Sequence, residues 1–284
     1  MKMKISVASG KGGTGKTFFS VNFYYTLKDE FKSAIVDLDV EEPNVNIFIK
    51  AEKLSAEISY LTIPKNIKEK CILCGKCSEY CEFNAIFVSS DKWYLFPELC
   101  KGCTACIKLC PNDALIYGKK EHGIIRWDNS GFMEGILKIR EPIAVPLIEN
   151  VKKKSLEIFK DYELIIYDSP PGVTCPAISS IKNSDFTILV AEPTPFGFND
   201  FKLTYEAIKD FNIPFGVVIN KDEIGTNELE NFCKDKSIPI LCRIPHDKAI
   251  AELYSNGKIL VKEDKTYKKY FLDCFNNIKK YLEK

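Results

Sequence analysis

Short apolar runs recur along the chain, and most are separated by stretches compatible with helices. Near-continuous apolar strands that alternate with helices are typical of a parallel sheet covered on both faces. The runs interpreted as strands are 5–8, 34–36, 143–145, 164–167, 187–190, 216–219 and 238–241. The pattern therefore predicts an α/β fold with a mostly parallel sheet and helices on both faces.

The segment 64–117 departs from this rhythm, because it is irregular and dense in cysteine. It contains an internal repeat with an offset of 29 residues, in which Cys71 corresponds to Cys100 and Cys81 to Cys110. A segment of this size has little apolar surface with which to fold alone, so we expect bound metal to stabilise it. We predict an inserted domain at 64–117 within a larger domain formed by 1–63 and 118–284.

Composition narrows the function classes. The chain has 40 Lys and Arg against 39 Asp and Glu, a net charge of +1, so no global field favours nucleic acid or an anionic membrane. No apolar run approaches the roughly 20 residues that span a bilayer, and no signal-peptide core precedes the first glycines. We expect a cytoplasmic protein. Its 12 cysteines then indicate metal ligation instead of disulfides.

The segment GKGGTGKT follows the first predicted strand and fits the phosphate-loop motif G-x-x-x-x-G-K-T. Backbone N–H groups in such a loop surround phosphate oxygens at a helix N-terminus. Lys16 is expected to reach the β- and γ-phosphates, and the Thr17 hydroxyl to ligate Mg²⁺. The predicted nucleotide-binding residues here are Gly10, Gly12, Gly13, Thr14, Gly15, Lys16 and Thr17.

The same glycines also satisfy the dinucleotide motif G-x-G-x-x-G, with Asp37 and Asp39 placed about where a ribose would be held. A dinucleotide site has no need for Lys16 and Thr17 directly after the last glycine. The phosphate-loop interpretation is therefore favoured.

With Lys11 included, the loop resembles the deviant Walker A class of ATPases, which includes MinD, ParA, Mrp-type cluster carriers and the nitrogenase iron protein. In that class the early lysine reaches across a nucleotide-sandwiched dimer to the partner's phosphates. The resemblance implies ATP and Mg²⁺ as cofactors and an ATP-dependent homodimer. Lys11 would stabilise charge in trans, as an arginine finger does.

Two acidic motifs extend the resemblance. The VDLD run carries Asp37 and Asp39, which the resemblance assigns to the magnesium shell and to the attacking water. An acid at a strand end can alternatively cap a helix. The LIIYDSPPG run looks like Walker B followed by switch II, with Asp168 facing Mg²⁺ through water and Gly172 turning its N–H toward a γ-phosphate. A buried carboxylate there is costly without a cation or donor.

Further assignments complete the predicted site. Asn220 matches the family's adenine-contacting asparagine, and Pro245 lies in a turn that matches a neighbouring element. A turn-forming Asn or Pro also occurs without any ligand. The predicted catalytic residues are Lys11, Lys16, Asp39 and Asp168.

Two copies of C-x2-C-x2-C-x3-C lie in the inserted segment. Three such thiolates can hold one cubane while the fourth ligates the other cluster, so crossed ligation of two [4Fe–4S] clusters is predicted. Cluster I is assigned Cys71, Cys74, Cys77 and Cys110, and cluster II is assigned Cys81, Cys100, Cys103 and Cys106. Zinc is the main alternative, but its four-cysteine sites normally use two separated C-x2-C pairs. The segment resembles a small α+β bacterial-type two-cluster ferredoxin, although Glu82 replaces the usual proline and can alter that turn.

The remaining cysteines, Cys175, Cys233, Cys242 and Cys274, lack such spacing and are interpreted as small buried side chains. Cys175 also lies three residues past switch II Gly172, so movement of switch II could reposition it. The C-x2-C pair with which Mrp-type carriers bridge their dimer is absent from the sequence.

An amphipathic stripe closes the chain, formed by Tyr267, Tyr270, Phe271, Cys274, Phe275, Ile278, Tyr281 and Leu282. MinD-type proteins end in a membrane-binding helix, but we favour a helix packed on the sheet. Lys119, Lys120 and Arg126 are interpreted as solvated surface.

The motif order predicts an ATP-binding and ATP-hydrolysing dimerisation switch coupled to two [4Fe–4S] clusters, with nucleotide-gated electron transfer to an unidentified redox partner. Two alternatives stay open: an ATPase that assembles or delivers iron-sulfur clusters to apo-proteins, and a ParA/MinD-like positioning ATPase with structural clusters. Because the insert follows Asp39 closely, movement of switch I could change cluster exposure or partner docking.

Overall fold

The computed structural model describes residues 3–51 and 53–283. The chain divides into two compact units. The first comprises Met1–Ala56, Ile125–Ile136 and Ile148–Lys284, and the second comprises Glu57–Ile124 and Leu137–Leu147.

Strands and helices alternate through most of the chain. The strands are β1 (Met3–Ala8), β2 (Ser33–Asp37), β3 (Ser55–Asn66), β4 (Ile86–Val88), β5 (Trp93–Leu95), β6 (Leu115–Trp127), β7 (Phe132–Leu137), β8 (Leu164–Asp168), β9 (Phe186–Ala191), β10 (Phe215–Asp222) and β11 (Ile240–Pro245). The helices are α1 (Lys16–Leu27), α2 (Lys76–Glu79), α3 (Ala105–Lys108), α4 (Val145–Ile158), α5 (Cys175–Ile181), α6 (Pro195–Ile208), α7 (Glu228–Asp235), α8 (Lys248–Ser255), α9 (Leu260–Glu263) and α10 (Lys268–Leu282).

The first unit is built on parallel strands in the order β11-β10-β9-β1-β8-β2-β7. Alternate side chains serve two cores, because successive residues of a strand point to opposite faces. On β9, Val190 joins one core, while Leu189 and Ala191 join the other. Both faces are therefore covered, as the apolar runs predict.

Helix α1 is buried along its whole length. It packs against the sheet on one side and against α9 and α10 on the other. Phe19 contacts Phe271 of α10, and Phe23 contacts Phe275, with ring centroids 5.3 and 6.1 Å apart. The C-terminal stripe is thus part of the core, as expected for a closing helix. Within the described residues, no helix is both long and apolar enough to cross a bilayer.

The second unit carries the cysteine repeat. Its strands β3 and β6 are neighbours, and β4 pairs with β5 as an antiparallel hairpin. The backbone repeats with the sequence: left-handed conformations recur 29 residues apart at Leu73 and Gly102, at Gly75 and Thr104, and at Asn84 and Asp113. Each copy therefore folds as the same turn, short helix and turn.

Some sequence predictions were wrong in detail. Residues 143–145 form no strand, because Val145 begins α4, whose first turn accommodates Pro146 as helix N-termini do. A parallel strand that the sequence reading missed, β7, contains the buried charge of Glu134, which interrupts its apolar run. The second unit also extends beyond 64–117. Its long flanking strands carry no cysteine, so the cysteine pattern did not indicate that they belong to this unit.

Two basic residues interpreted as solvated have buried partners instead. Lys120 pairs with Glu141 at 2.9 Å and donates to the Pro97 carbonyl at 3.1 Å. Arg126 pairs with the fully buried Glu134 at 2.5 Å. Lys119 is exposed, with its ammonium 5.4 Å from the Tyr60 ring centroid.

A buried lysine links α4 to the end of α5. Lys152 Nζ donates to the carbonyl oxygens of Ser179 and Ser180, each at 3.0 Å, and to that of Lys182 at 2.5 Å. These carbonyls lie at a helix C-terminus, where no intrahelical donor is available. Burial lowers the pKa of Lys152 to about 8. The side chain therefore acts as a C-terminal cap of α5.

We expect Lys152→Met to lower the free energy of unfolding by roughly 1–3 kcal/mol, because it leaves buried carbonyl groups without their donor. Urea denaturation followed by circular dichroism would measure the change. Lys153→Met, which alters the exposed neighbour on the same helix, is the matched control. Equal stability of the two variants would contradict the capping role.

Candidate functional site

The glycine loop lies between β1 and α1 and lines a cavity of about 660 Å³. Gly15 adopts the left-handed conformation, with φ of 89°, at the start of α1. The cavity is lined by Ser9, Lys11, Gly12, Gly13, Thr14, Gly15, Lys16, Thr17, Asp39, Glu42, Asn44, Pro171 and Tyr254. The structure therefore brings the predicted loop and the predicted switch I acid Asp39 to one cavity.

A buried polar network lies beside this loop. Lys16 Nζ is 3.0 Å from Asp168 Oδ2, which also accepts a hydrogen bond of 2.7 Å from the Thr17 hydroxyl. Ser20 donates to Asp168 Oδ1, also at 2.7 Å. Both carboxylate oxygens at the end of β8 are thus engaged by α1. A carboxylate at this depth requires such donors.

Asp37 is fully buried at the end of β2, where it is in register with Asp168 of β8. It accepts backbone hydrogen bonds from Asp39, at 3.0 Å, and from Asn44 and Val45, both at 2.9 Å. Its carboxylate therefore anchors both ends of the loop predicted as switch I. This is a backbone-capping arrangement of the kind left open as the alternative to a magnesium-shell role.

The three acids Asp37, Asp39 and Asp168 all interact electrostatically with one buried lysine, Lys16. Burial, reinforced by the charge of Asp168, raises the pKa of Asp37 to about 8. Burial likewise raises the pKa of Asp39 to about 6, although Lys16 opposes this. Burial lowers the pKa of Lys16, but the surrounding acids, above all Asp168, more than offset that effect. The cluster carries more negative than positive charge, so a divalent cation near it would favour the ionised acids.

A neighbouring cavity provides the other half of a nucleotide-sized groove. It measures about 660 Å³ and is lined by Gly13, Gly15, Phe18, Asn220, Lys221, Pro245, His246, Asp247, Ile250, Ala251 and Tyr254. The predicted adenine residues Asn220 and Pro245 are therefore brought together beside the loop. The Asn220 amide also donates to the Thr14 carbonyl at 2.7 Å, which ties β10 to the glycine loop.

Tyr254 of α8 lines both cavities. Its ring is stacked on Phe48, with centroids 5.1 Å apart and planes at 17°, and is edge-on to Phe18 at 5.7 Å. Phe48 follows the switch I loop, and Phe18 belongs to α1. Tyr254 thus packs the groove wall against both elements.

Lys11 and Gly172 make contacts inside their own chain. Lys11 Nζ lies 3.5 Å from Asp200 Oδ2, and this pair is partly exposed. The Gly172 N–H donates to the Ser9 carbonyl at 2.9 Å, and its φ is 89°. A turn of this N–H toward a phosphate would require that hydrogen bond to break.

The eight repeat cysteines lie around two small cavities of the second unit. One cavity is lined by Cys71, Cys74, Cys77 and Cys110, together with Trp93 and others. The other is lined by Cys81, Cys100, Cys103 and Cys106. Each group takes three cysteines from one copy and the fourth from the other.

Backbone donors reach the fourth sulfur of each copy. The N–H of Ala85 donates to Cys81 Sγ and that of Ala114 to Cys110 Sγ, both at 3.3 Å. The two contacts are 29 residues apart and have equal length, so Glu82 leaves the local turn unaltered. Burial raises the pKa of several of these thiols, including that of Cys106 to about 11. Within residues 3–51 and 53–283, no group of His, Cys, Asp or Glu is arranged to hold a single metal ion.

The other cysteines behave less uniformly than expected. Cys233 and Cys274 are fully buried, as predicted for small apolar side chains. Cys242 is half-buried, and Cys175 is exposed at the start of α5, so the general expectation was wrong for Cys175.

The family model described as the CobQ/CobB/MinD/ParA nucleotide binding domain matches residues 5–261. This chain belongs to that family. Two uncharacterized proteins of Methanocaldococcus jannaschii are 31% and 34% identical to it, each over 99% of this chain and over 95% and 98% of their own lengths. The chain is therefore a member of a nucleotide-binding P-loop ATPase family.

Solved structures share the family's fold. MinD of Pyrococcus horikoshii complexed with Mg-ADP superposes with a TM-score of 0.59 and 19% identity, covering 98% of this chain and 96% of that one. A curated relative, the cytosolic Fe-S cluster assembly factor NUBP1 homolog of Caenorhabditis elegans, is 21% identical over 99% of this chain and 82% of its own length.

Sequence reasoning missed several residues that pack around the glycine loop. Ser20 lies one helical turn after Thr17, so its place on the same face of α1 offered a usable signal. Tyr254 and Phe48 offered none, because only the packing of α8 against the loop after β2 brings them together.

We expect Asp37→Asn to loosen the loop 39–45, since an amide NH2 cannot accept the backbone N–H bonds that one carboxylate oxygen now accepts. Hydrogen exchange of these amides should become faster, with roughly 1–3 kcal/mol less local stability. Mass spectrometry of the nucleotide-free protein would measure it. Glu41→Gln makes the same acid-to-amide change at an exposed site on this loop and serves as the control. Unchanged exchange in Asp37→Asn would refute the anchoring role.

Proposed function

We propose that this protein is an ATP-binding and ATP-hydrolysing dimerisation switch coupled to two [4Fe–4S] clusters, and that the nucleotide state gates electron transfer through those clusters. The observation that carries the proposal is the grouping of eight cysteines into two four-cysteine cavities within a chain of a nucleotide-binding family.

The phosphate site supplies what hydrolysis would require. Lys16 and Thr17 already converge on Asp168, so a bound Mg²⁺ and triphosphate would meet a positioned ammonium, hydroxyl and carboxylate. Asp39 lines the same cavity and would orient the attacking water. Its raised pKa suits a group that holds water by accepting its proton in a hydrogen bond. The family resemblance supports these roles.

The cysteine spacing favours a cubane over zinc. Four-cysteine zinc sites normally use two separated C-x2-C pairs, whereas each copy here has three cysteines spaced by two residues. A cubane is an eight-atom body, so its ligands lie further apart around a wider space. The cross-copy grouping and the backbone N–H donors to sulfur also match cluster sites. When bound, the clusters would supply one-electron redox chemistry.

The chain connection between the switch I loop and the cysteine-bearing unit suggests how ATP hydrolysis and electron transfer could be coupled. The loop that Asp37 anchors is followed along the chain by β3, whose residues from Glu57 onward belong to the cysteine-bearing unit. A γ-phosphate that rearranges switch I would therefore act on the segment leading into that unit. Order–disorder changes of this kind are a common nucleotide switch.

A second function is favoured by one comparison. The likeness to the NUBP1 homolog, named as a cytosolic Fe-S cluster assembly factor, supports a role in assembling clusters for other proteins. Transfer of iron-57-labelled clusters to an apo-ferredoxin would favour assembly. Retention of the label through many rounds of ATP hydrolysis would favour electron transfer.

We expect anaerobically purified protein to hold two [4Fe–4S] clusters whose potentials differ between the ADP and non-hydrolysable ATP complexes. Lys16→Ala should keep the clusters but abolish this difference, because the phosphate contact is lost. Cys74→Ser should remove or convert cluster I. Iron and sulfide analysis with potentiometric titration measures both effects, and Cys175→Ser is the control because Cys175 lines neither cavity. Unchanged cluster content in Cys74→Ser, or no nucleotide effect in the wild type, would contradict the proposal.

We expect Lys11→Ala to retain nucleotide binding but to lose both ATP-dependent dimerisation and hydrolysis, since Lys11 is proposed to act in trans. Analytical ultracentrifugation with a non-hydrolysable ATP analogue tests dimerisation. Lys221→Ala, which alters a lysine in the cavity that Asn220 and Pro245 also line, is the control. A Lys11→Ala protein that still dimerises and hydrolyses ATP normally would rule out the trans role.

A further inference from the structure

One buried donor in the second unit has no acceptor. The indole Nε1 of Trp93 is shielded from solvent and has no hydrogen-bond partner among the described residues. A buried N–H without an acceptor loses its hydrogen bond to water without replacement, so it calls for an explanation such as an absent ligand.

The position of this indole suggests which ligand is involved. Trp93 begins β5, pairs with Val88 across the β4–β5 hairpin, and lines the cavity of Cys71, Cys74, Cys77 and Cys110. The unsatisfied donor therefore belongs to a residue in the wall of a four-cysteine cavity.

The second cavity differs. Its described lining contains the polar side chains Lys101, Thr104 and Tyr80 but no indole. Lys76 lines the first cavity, so each cavity has one lysine. The Trp93 N–H therefore distinguishes the first cavity from the second, although the two copies of the repeat are otherwise nearly symmetric.

We propose that Trp93 donates an indole hydrogen bond to a ligand sulfur of bound cluster I, and thereby makes cluster I the more easily reduced of the two clusters. This inference rests on the proposed presence of both clusters. Trp93 is a positioning and tuning residue and undergoes no chemical change itself.

The physical reason is electrostatic. One-electron reduction adds negative charge to a cluster, and part of that charge resides on the ligand sulfurs. A fixed N–H dipole stabilises the reduced form more than the oxidised form, so it raises the reduction potential. An electron entering the unit from an external one-electron donor would then reside first on cluster I.

The test is Trp93→Phe in the full-length protein, purified anaerobically and titrated potentiometrically with electron paramagnetic resonance detection. We expect the higher of the two cluster potentials, which the inference assigns to cluster I, to become more negative while the lower one is unchanged. Trp127→Phe makes the same substitution in the first unit and should change neither potential. Val88→Ala loosens the wall of the same cavity but keeps the indole.

The Val88 control separates hydrogen bonding from solvent access, which also tunes cluster potentials. A fall in potential in Trp93→Phe but not in Val88→Ala supports the inference. Unchanged potentials in Trp93→Phe, or an equal fall in both variants, would overturn it. Iron and sulfide analysis distinguishes a failure of the function: wild-type protein without [4Fe–4S] clusters would remove the proposed function and this inference with it.

A second readout covers a Trp93→Phe protein that fails to retain cluster I. In wild-type protein labelled with indole ¹⁵N, electron-nuclear double resonance of the reduced cluster should detect an exchangeable proton and a ¹⁵N nucleus coupled to it. Absence of both couplings in cluster-replete wild type would overturn the inference.

Discussion

The hydrogen bonds and ion pair of the Asp168 carboxylate are the interactions on which the glycine-loop region of the first unit depends. It ends the central strand β8 and is bound by Lys16, Thr17 and Ser20, three residues of one helix face. Removing one partner of a buried ion pair typically costs about 3–5 kcal/mol, because the other charge is left uncompensated. The ion pair thus fixes the start of α1, and with it the glycine loop, against the sheet.

The carboxyl-terminal ends of β2 and β8 concentrate negative charge. Asp37 lies in register with Asp168 on the adjacent strand. Parallel pairing therefore brings two buried carboxylates close to a single buried ammonium group, that of Lys16. Burial and mutual repulsion raise the pKa of Asp37, and its backbone donors partly compensate. The site therefore combines a surplus of acid with an anchored loop. A divalent cation near it would favour the ionised acids.

The second unit shows how far a sequence repeat dictates structure. An offset of 29 residues fixes the turns, the short helices and the sulfur-directed N–H groups of both copies. In the proposed function, two identical clusters would give an electron no preferred position. The hairpin that separates the copies breaks the symmetry by bringing Trp93 to one cavity only.

The sequence by itself determined the parallel α/β class, the glycine loop, its acidic partners and the two cysteine motifs, because each rests on local spacing or strand periodicity. It did not reveal β7, whose buried Glu134 is neutralised by Arg126, or the wider extent of the second unit. Tertiary structure alone decided that Asp37 anchors the switch I loop, that Tyr254 joins both halves of the groove, and that Trp93 faces cysteines. These contacts join residues from separate elements, and only packing sets their distances.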